Sequence, residues 1–170
     1  MILVLINGFS GAGKDTFVKL AAAKRPNTPT KNIHRSDIAK RMLCSVGWSG
    51  ERTIEVRRLL ADMTEFMENN GYLNEHLDYE LKNSNPNTII FYHIRDPKGI
   101  TKIKEKYWFK TDLNIVSVLI DRKEVEAVEK DRWGIKDYDY DVVIDNNKDM
   151  EELEKATELF LVGLEVAYGK

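Results

Sequence analysis

The chain has 170 residues and a net charge of −2, with 42% hydrophobic and 32% charged side chains. That length suits one domain with a real core, that balance excludes wholesale disorder, and no apolar run approaches the roughly 18 residues of a membrane span. The acid excess argues against a nucleic-acid backbone as the main partner. The single cysteine, Cys44, excludes an internal disulfide and cannot build a zinc site alone.

Met1 to Ile6 is apolar at every position, which predicts a central strand covered on both faces by helices, as in a parallel sheet. It is too short for the apolar region of a signal peptide and leads straight into functional sequence, so the protein is expected to be cytoplasmic. The next stretch is Gly8-Phe9-Ser10-Gly11-Ala12-Gly13-Lys14-Asp15-Thr16. Gly8, Gly11 and Gly13 permit positive φ, so successive backbone N–H groups can face phosphate oxygens while the following helix presents its positive end. Gly8, Gly13 and Lys14 complete the pattern G-x-x-x-x-G-K, with Lys14 as a point charge for the β- and γ-phosphates. The hydroxyl residue that usually follows the lysine is replaced by Asp15, and Thr16 comes one place later.

The first helix should end near Lys24, before the loop Arg25-Pro26-Asn27-Thr28-Pro29-Thr30. Asn32 to His34 is a weakly signalled second strand. Ser36 reads as the N-cap of a helix from about Asp37 to Ser45, on whose apolar face Cys44 is expected to be a core thiol. Gly47-Trp48-Ser49-Gly50 breaks that helix, and a longer one spans roughly Arg52 to Asn69. Its Leu59, Leu60, Met63, Phe66 and Met67 form an apolar stripe, with Arg57, Ala61 and Thr64 on a different face. Gly71 ends it, and a further helix runs from about Leu73 to Lys82. Thr88 to Ile94 is a strand, followed by Arg95-Asp96-Pro97, where Pro97 suits the first turn of a helix reaching about Lys106. Asn114 to Ile120 is another buried strand, ending in Asp121-Arg122. A charged helix from about Glu124 to Arg132 leads through Gly134 to the last strand, Asp141 to Ile144. After Asp145-Asn146-Asn147 a closing helix covers about Asp149 to Val166. Alternating strands and helices predict a parallel α/β sheet, and Arg35, Arg95 and Arg122 each follow a strand, where such sheets bind ligands.

Several of these segments together resemble a known family. Lysine, any residue, threonine occurs in the adenylate-kinase group, and Lys14-Asp15-Thr16 is similar to the phosphate loop of phage-type deoxynucleoside monophosphate kinases and of animal phosphomevalonate kinases. The Ser36-Asp37 helix start, the arginine-bearing helix, the strand ending Ile94-Arg95-Asp96-Pro97 and the final Asp141-Val142-Val143-Ile144-Asp145-Asn146 extend the resemblance over nearly the whole chain. The last of these also resembles dephospho-coenzyme A kinases. The family implies a P-loop kinase three-layer sandwich in one domain, 1–170. Its five parallel strands would be ordered 2-3-1-4-5, with acceptor-binding helices at about 36–82 and a lid at about 121–137. It also implies ATP and Mg²⁺ as cofactors.

Phosphoryl transfer needs positioning and neutralisation of spreading charge more than covalent chemistry. Ser10, Gly11, Ala12, Gly13, Lys14 and Thr16 are expected to hold ATP, with Asp15 and Thr16 orienting Mg²⁺ through water. Arg57, alone or with Arg58, is chosen for the acceptor phosphate because a guanidinium grips phosphate bidentately. Ser36, Asp37, Lys40 and Arg41 would line the acceptor site, and Asp62 would read its base or sugar or else pair with Arg58. Arg95 and Asp96 are candidates at the reacting centre, Asp96 alternatively capping the helix opened by Pro97. Arg122 and Arg132 flank the lid helix and would close over ATP, Arg122 supplying transition-state charge. Asp145 and Asn146 lie where related folds place the adenine, or else form an Asp-Asn turn that caps the final helix. Lys123, Lys130 and Lys136 read as solvent charges, and His93 either lines the acceptor pocket or is a satisfied core histidine.

The leading expectation is a phosphotransferase that converts a deoxynucleoside monophosphate to its diphosphate. Its partners are then small nucleotides, neither membrane nor nucleic acid, and a homodimer is left open. The alternatives are a P-loop kinase for phosphomevalonate, dephospho-coenzyme A or a modified base in DNA, and a nucleotide-binding switch.

Overall fold

The computed structural model describes residues 1–51, 53–126 and 134–169. In chain order the elements are β1 (Ile2–Asn7), α1 (Lys14–Lys24), β2 (Thr30–His34), α2 (Asp37–Ser45), α3 (Ile54–Asn69), α4 (Tyr72–Lys82) and β3 (Ile89–His93). There follow α5 (Pro97–Tyr107), β4 (Asn114–Asp121), α6 (Lys123–Glu126), a 3₁₀ turn (Ile135–Asp137), β5 (Val142–Asp145) and α7 (Met150–Tyr168). The five strands form one sheet in the order β2-β3-β1-β4-β5. β1 runs parallel to both neighbours, with Val4 opposite Phe91 on β3 and Val116 on β4. Its central place explains the apolar run, since Ile2 to Ile6 are all buried.

The chain divides into two compact units, Met1–Asn32 with Pro86–Lys170, and Ile33–Asn85. In the first, α1 and α7 cover one face of the sheet. Phe17, Val18 and Ala21 of α1 and Phe160, Leu161 and Leu164 of α7 join Val4, Ile6, Val118 and Ile120 in one core cluster. Phe17 meets Phe91 edge-on at 6.2 Å between ring centres and Phe160 at 5.3 Å. α5 contributes its own buried residues, Ile100, Ile103 and Tyr107. Asp96 caps α5, its Oδ1 accepting from the Lys98 amide at 3.0 Å, and Pro97 occupies the first turn.

The second unit is helical. Ala39, Met67 and Leu73 form its buried cluster, with Ile38, Leu60 and Met63 packed against them. Two expectations fail here. Leu59 and Phe66 are 45% and 62% exposed, because the buried line of α3 runs through Leu60, Met63 and Met67 and each of those two sits about 100° to its side. Cys44 is exposed rather than a core thiol, because Ala39 marks the inner face of α2 and Cys44 lies about 140° around the helix from it. Ser36 stands at the N-cap of α2 but its side chain makes no capping bond, and Asp37 instead accepts from the His34 amide at 2.8 Å. No helix among the described residues is long and apolar enough to cross a membrane.

Candidate active site

The glycine-rich segment leaves the carboxyl end of β1 and enters α1 with three left-handed or extended-positive turns, φ +139° at Gly8, +81° at Gly11 and +96° at Gly13. At two of these positions any side chain would have to displace a neighbour. A Cβ on Gly8 would lie 2.5 Å from the Ile120 carbonyl oxygen, and one on Gly13 would lie 2.4 Å from Asn146 Nδ2. The first contact seats the loop on β4, and the second seats it on the turn after β5. Ala12 is fully buried and its amide donates to the Phe9 carbonyl at 3.2 Å, whereas Ser10 and Gly11 face outward. Gly13 is the N-cap of α1 and no side chain caps that end, so the first-turn amides point toward the loop. Lys14 Nζ donates to the carbonyls of Gly8 and Phe9, both at 2.6 Å, which holds its ammonium at the loop. A helix N-terminus, a folded glycine loop and a fixed cation together make an anion site of the kind that holds nucleotide phosphates.

Asp15 and Thr16 follow in the first turn of α1, Asp15 largely exposed and Thr16 half-buried. Strands β2 and β3 tether the Asp15 carboxylate. Asn32 Nδ2 donates to its Oδ1 at 3.3 Å, and His93 Nε2 lies 3.8 Å from the same oxygen. His93 is buried and its Nε2 is 2.7 Å from Asn32 Oδ1, so it is a satisfied histidine, and its partner is the β2 side chain that donates to Asp15. Asn32 is a residue that sequence reasoning missed, since nothing in a short, weakly signalled strand marks it.

Arg95 and Arg122 lie at the carboxyl ends of β3 and β4, as expected. Arg95 is exposed, and Asp96 takes the capping alternative described above. Arg122 pairs with Glu124 at 3.0 Å, with 41% of its side chain exposed. The start of the expected lid helix is present as α6, and Val125 packs on the core near Gly11, whose Cβ would meet Val125 Cγ1 at 3.4 Å. Arg132 and Lys130 lie outside the described residues. Lys136 is exposed as expected, and its Nζ lies 3.2 Å from Asp121 Oδ1, a buried oxygen for which it supplies a cation. Asn146 is buried and its amide donates to the Ala12 carbonyl at 2.8 Å, bracing the loop through its backbone. Asp145 accepts from the amide and side chain of Asn147, which holds its carboxyl below the usual range.

Of the residues expected around the acceptor, Ser36, Asp37, Lys40, Arg41, Arg57 and Asp62 fall in the helical unit, whereas Arg95 belongs to the sheet unit. Burial pushes the Asp37 carboxyl up, but the bonds from Lys40 Nζ at 2.7 Å and the His34 amide outweigh it and leave the group below its ordinary value. Arg41 Nη2 meets His76 Nε2 at 2.9 Å, and Arg35 pairs with Glu68. Arg57, Arg58 and Asp62 are exposed on α3.

A cavity of about 650 Å³ between β5 and α7, lined by residues such as Val143, Ala156 and Leu159, contains no residue of the phosphate loop.

No protein-family model matches the sequence, and no curated protein is significantly similar to it. Solved structures are similar in fold. An APS kinase of Mycobacterium tuberculosis, in complex with AMPPNP and APS, superimposes with a TM-score of 0.60 at 13% identity, covering 96% of each chain. A second structure of that enzyme gives 0.55 at 14% identity, covering 94% of this chain and 95% of the other. A shikimate kinase from Bacteroides thetaiotaomicron gives 0.52 at 13% identity, over 96% and 98%. Together with the strand order and the helices on both faces of the sheet, these likenesses identify the architecture as the P-loop kinase fold.

Proposed function

We propose that this chain transfers the γ-phosphoryl group of ATP to a small phosphorylated acceptor, and specifically to a deoxynucleoside monophosphate. The observation that carries the reading is the loop from Gly8 to Lys14, whose positive-φ glycines, uncapped helix start and lysine offer a nucleotide triphosphate amide donors and a charge. The residues fit ATP and Mg²⁺. Lys14 and the loop amides would hold the β- and γ-phosphates, with Ser10, Gly11, Ala12, Gly13 and Thr16 around them, and the tethered Asp15 carboxylate would hold the ion through water. The ion supplies neutralisation of charge on the transferring group.

In the reaction an oxygen of the acceptor's phosphate attacks the γ-phosphorus, the bond to the β–γ bridging oxygen breaks, and ADP leaves with that oxygen's electron pair. Arg95, with Asp96 beside it, and Arg122, with Arg132, supply cationic contacts to the developing charge. Ser36, Asp37, Lys40, Arg41, Arg57 and Asp62 take the acceptor, and Asn146 reaches ATP through the loop it braces. The fold neighbours, which are kinases for small molecules by name, support transfer to a small acceptor. The resemblance to phage-type deoxynucleoside monophosphate kinases over nearly the whole chain supports the nucleotide acceptor, the Lys14-Asp15-Thr16 sequence alone being shared with phosphomevalonate kinases.

Coupled ADP release with each common deoxynucleoside and ribonucleoside monophosphate tests it. Deoxynucleotide-dependent ADP formation that falls about 10³-fold or more in Lys14→Ala is expected, by analogy with the loss of a transition-state cation. ADP formation only with phosphomevalonate or dephospho-coenzyme A would overturn the nucleotide acceptor. ADP formation without any acceptor would overturn the kinase reading.

A further inference from the structure

The last residue of β1 carries a polar group that none of the roles above uses. Asn7 is fully buried at the end of an otherwise apolar strand. Its Oδ1 accepts from the Gly8 amide at 2.7 Å, and its Nδ2 donates to the Tyr140 hydroxyl at 2.8 Å and to the Arg95 carbonyl at 3.3 Å. The orientation of the carboxamide is forced, because a backbone N–H only donates and a backbone carbonyl only accepts. Both of its N–H groups and its oxygen are therefore engaged. The partners lie 1, 88 and 133 residues away in sequence. They are the first residue of the phosphate loop, the turn that carries Arg95, and the approach to β5 beyond the expected lid.

We infer that Asn7 is a positioning residue, which sets the phosphate loop against the Arg95 turn, and that the Tyr140 hydroxyl holds the Asn7 amide in register. This rests on the phosphotransferase reading above, because it concerns how donor phosphates and Arg95 come to face one reacting centre. A displacement of about 1 Å at such a centre costs on the order of 10²-fold in rate. No apolar side chain could replace Asn7, since the Gly8 amide would be left buried without an acceptor at the point where φ is +139°. Aspartate could accept from Gly8 but would set an acceptor against the Arg95 carbonyl. Tyr140 is itself buried and its ring packs edge-on against Tyr138 at 4.9 Å between centres. Its hydroxyl can thus be removed while the ring keeps its packing.

The test uses Tyr140→Phe, with Asn7→Ala and the double variant beside it. ATP affinity is measured by calorimetry, thermal unfolding without nucleotide, and kcat and KM with ATP and acceptor varied separately. Tyr140→Phe should weaken ATP binding and lower kcat, each about tenfold, with the acceptor KM unchanged and the protein folded far above the assay temperature. The double variant should be no worse than Asn7→Ala, because both act through one carboxamide. If Asn7→Ala fails to fold, Tyr140→Phe alone decides. Unchanged ATP affinity and kcat in Tyr140→Phe beside a lowered melting temperature would make the network merely structural and overturn the inference. A rise confined to the acceptor KM would overturn it too. A wild-type protein that binds no ATP would instead remove the phosphotransferase reading, and this role with it.

Discussion

Both units leave large apolar side chains exposed, Trp108 and Leu159 of the sheet unit among them, but the sheet unit buries Phe17 completely between Phe91 and Phe160, while in the helical unit Met42, Ile54, Leu59, Phe66, Tyr72 and Tyr79 are between 45% and 79% exposed. The difference follows from geometry. A sheet with helices on both faces encloses each β1 side chain, whereas three helices of the length of α2, α3 and α4 cover one stripe apiece and turn the rest outward. The phosphate loop is anchored in the well-packed unit, by Gly8 on β4 and Gly13 on the β5 turn, and the residues proposed for the acceptor stand on the thinly packed one. Segments that must rearrange around a ligand are drawn from regions of low local stability.

The largest difference between the units is expected at two phenylalanines. Phe17→Ala should cost about 3–5 kcal/mol in a urea unfolding experiment, and Phe66→Ala less than about 0.5 kcal/mol. Similar costs for the two would mean that the helical unit is as tightly packed as the sheet.

Two glycines sharpen it at smaller scale. Gly13 and Gly50 have nearly the same φ, +96° and +98°, but a Cβ on Gly13 meets Asn146 and one on Gly50 meets nothing within 4 Å. Gly13→Ala is expected to lose about 2–4 kcal/mol of stability together with ATP binding, and Gly50→Ala about 1 kcal/mol with ATP binding intact. Calorimetric titration with ATP checks both. ATP binding retained by Gly13→Ala would show that the loop tolerates displacement.

The smallest effect concerns acid. Asp141 on the sheet unit accepts from the Ser117 amide, the Ser117 hydroxyl and Lys104 Nζ, all at 2.7 Å. Burial pushes its carboxyl up, but those bonds outweigh it, so the folded-state value lies below the ordinary one, as for Asp37 in the helical unit. A depressed carboxyl stabilises the fold above its unfolded pKa of about 3.9, and that contribution is lost as pH falls through the folded value. Asp141→Asn and Asp37→Asn should therefore lose about 0.5–1 kcal/mol at pH 7, after screening by solvent, and show a shallower fall in stability between about pH 5 and 2. A variant with the acid slope of the wild type would refute the contribution of that carboxylate.

Much of the frame is legible in the residues. The apolar run Met1 to Ile6 announces a central strand because only a doubly covered strand tolerates it, and Gly8, Gly13 and Lys14 announce the loop because backbone rules allow few residues there. Pro97 marks the start of α5 through local chemistry as well. The helical unit is less legible. Leu59 and Leu60 are both apolar and one residue apart, so composition cannot say which of two adjacent lines on α3 faces inward, and Cys44 misleads for the same reason. Asn7 could have been suspected, as a polar side chain directly before Gly8 on a buried strand, but its partners could not.

Sequence by itself determined the elements and the phosphate loop, because each depends on patterns within a few residues of one another, and it reached the strand order only through resemblance along nearly the whole chain. Tertiary structure alone decided which side chains hold that loop in place. Asn7 on Tyr140, Asn146 on Ala12, and Asn32 with His93 at Asp15 join residues 133, 134, 17 and 78 positions apart, and only the folded sheet brings the carboxyl ends of those strands to one edge.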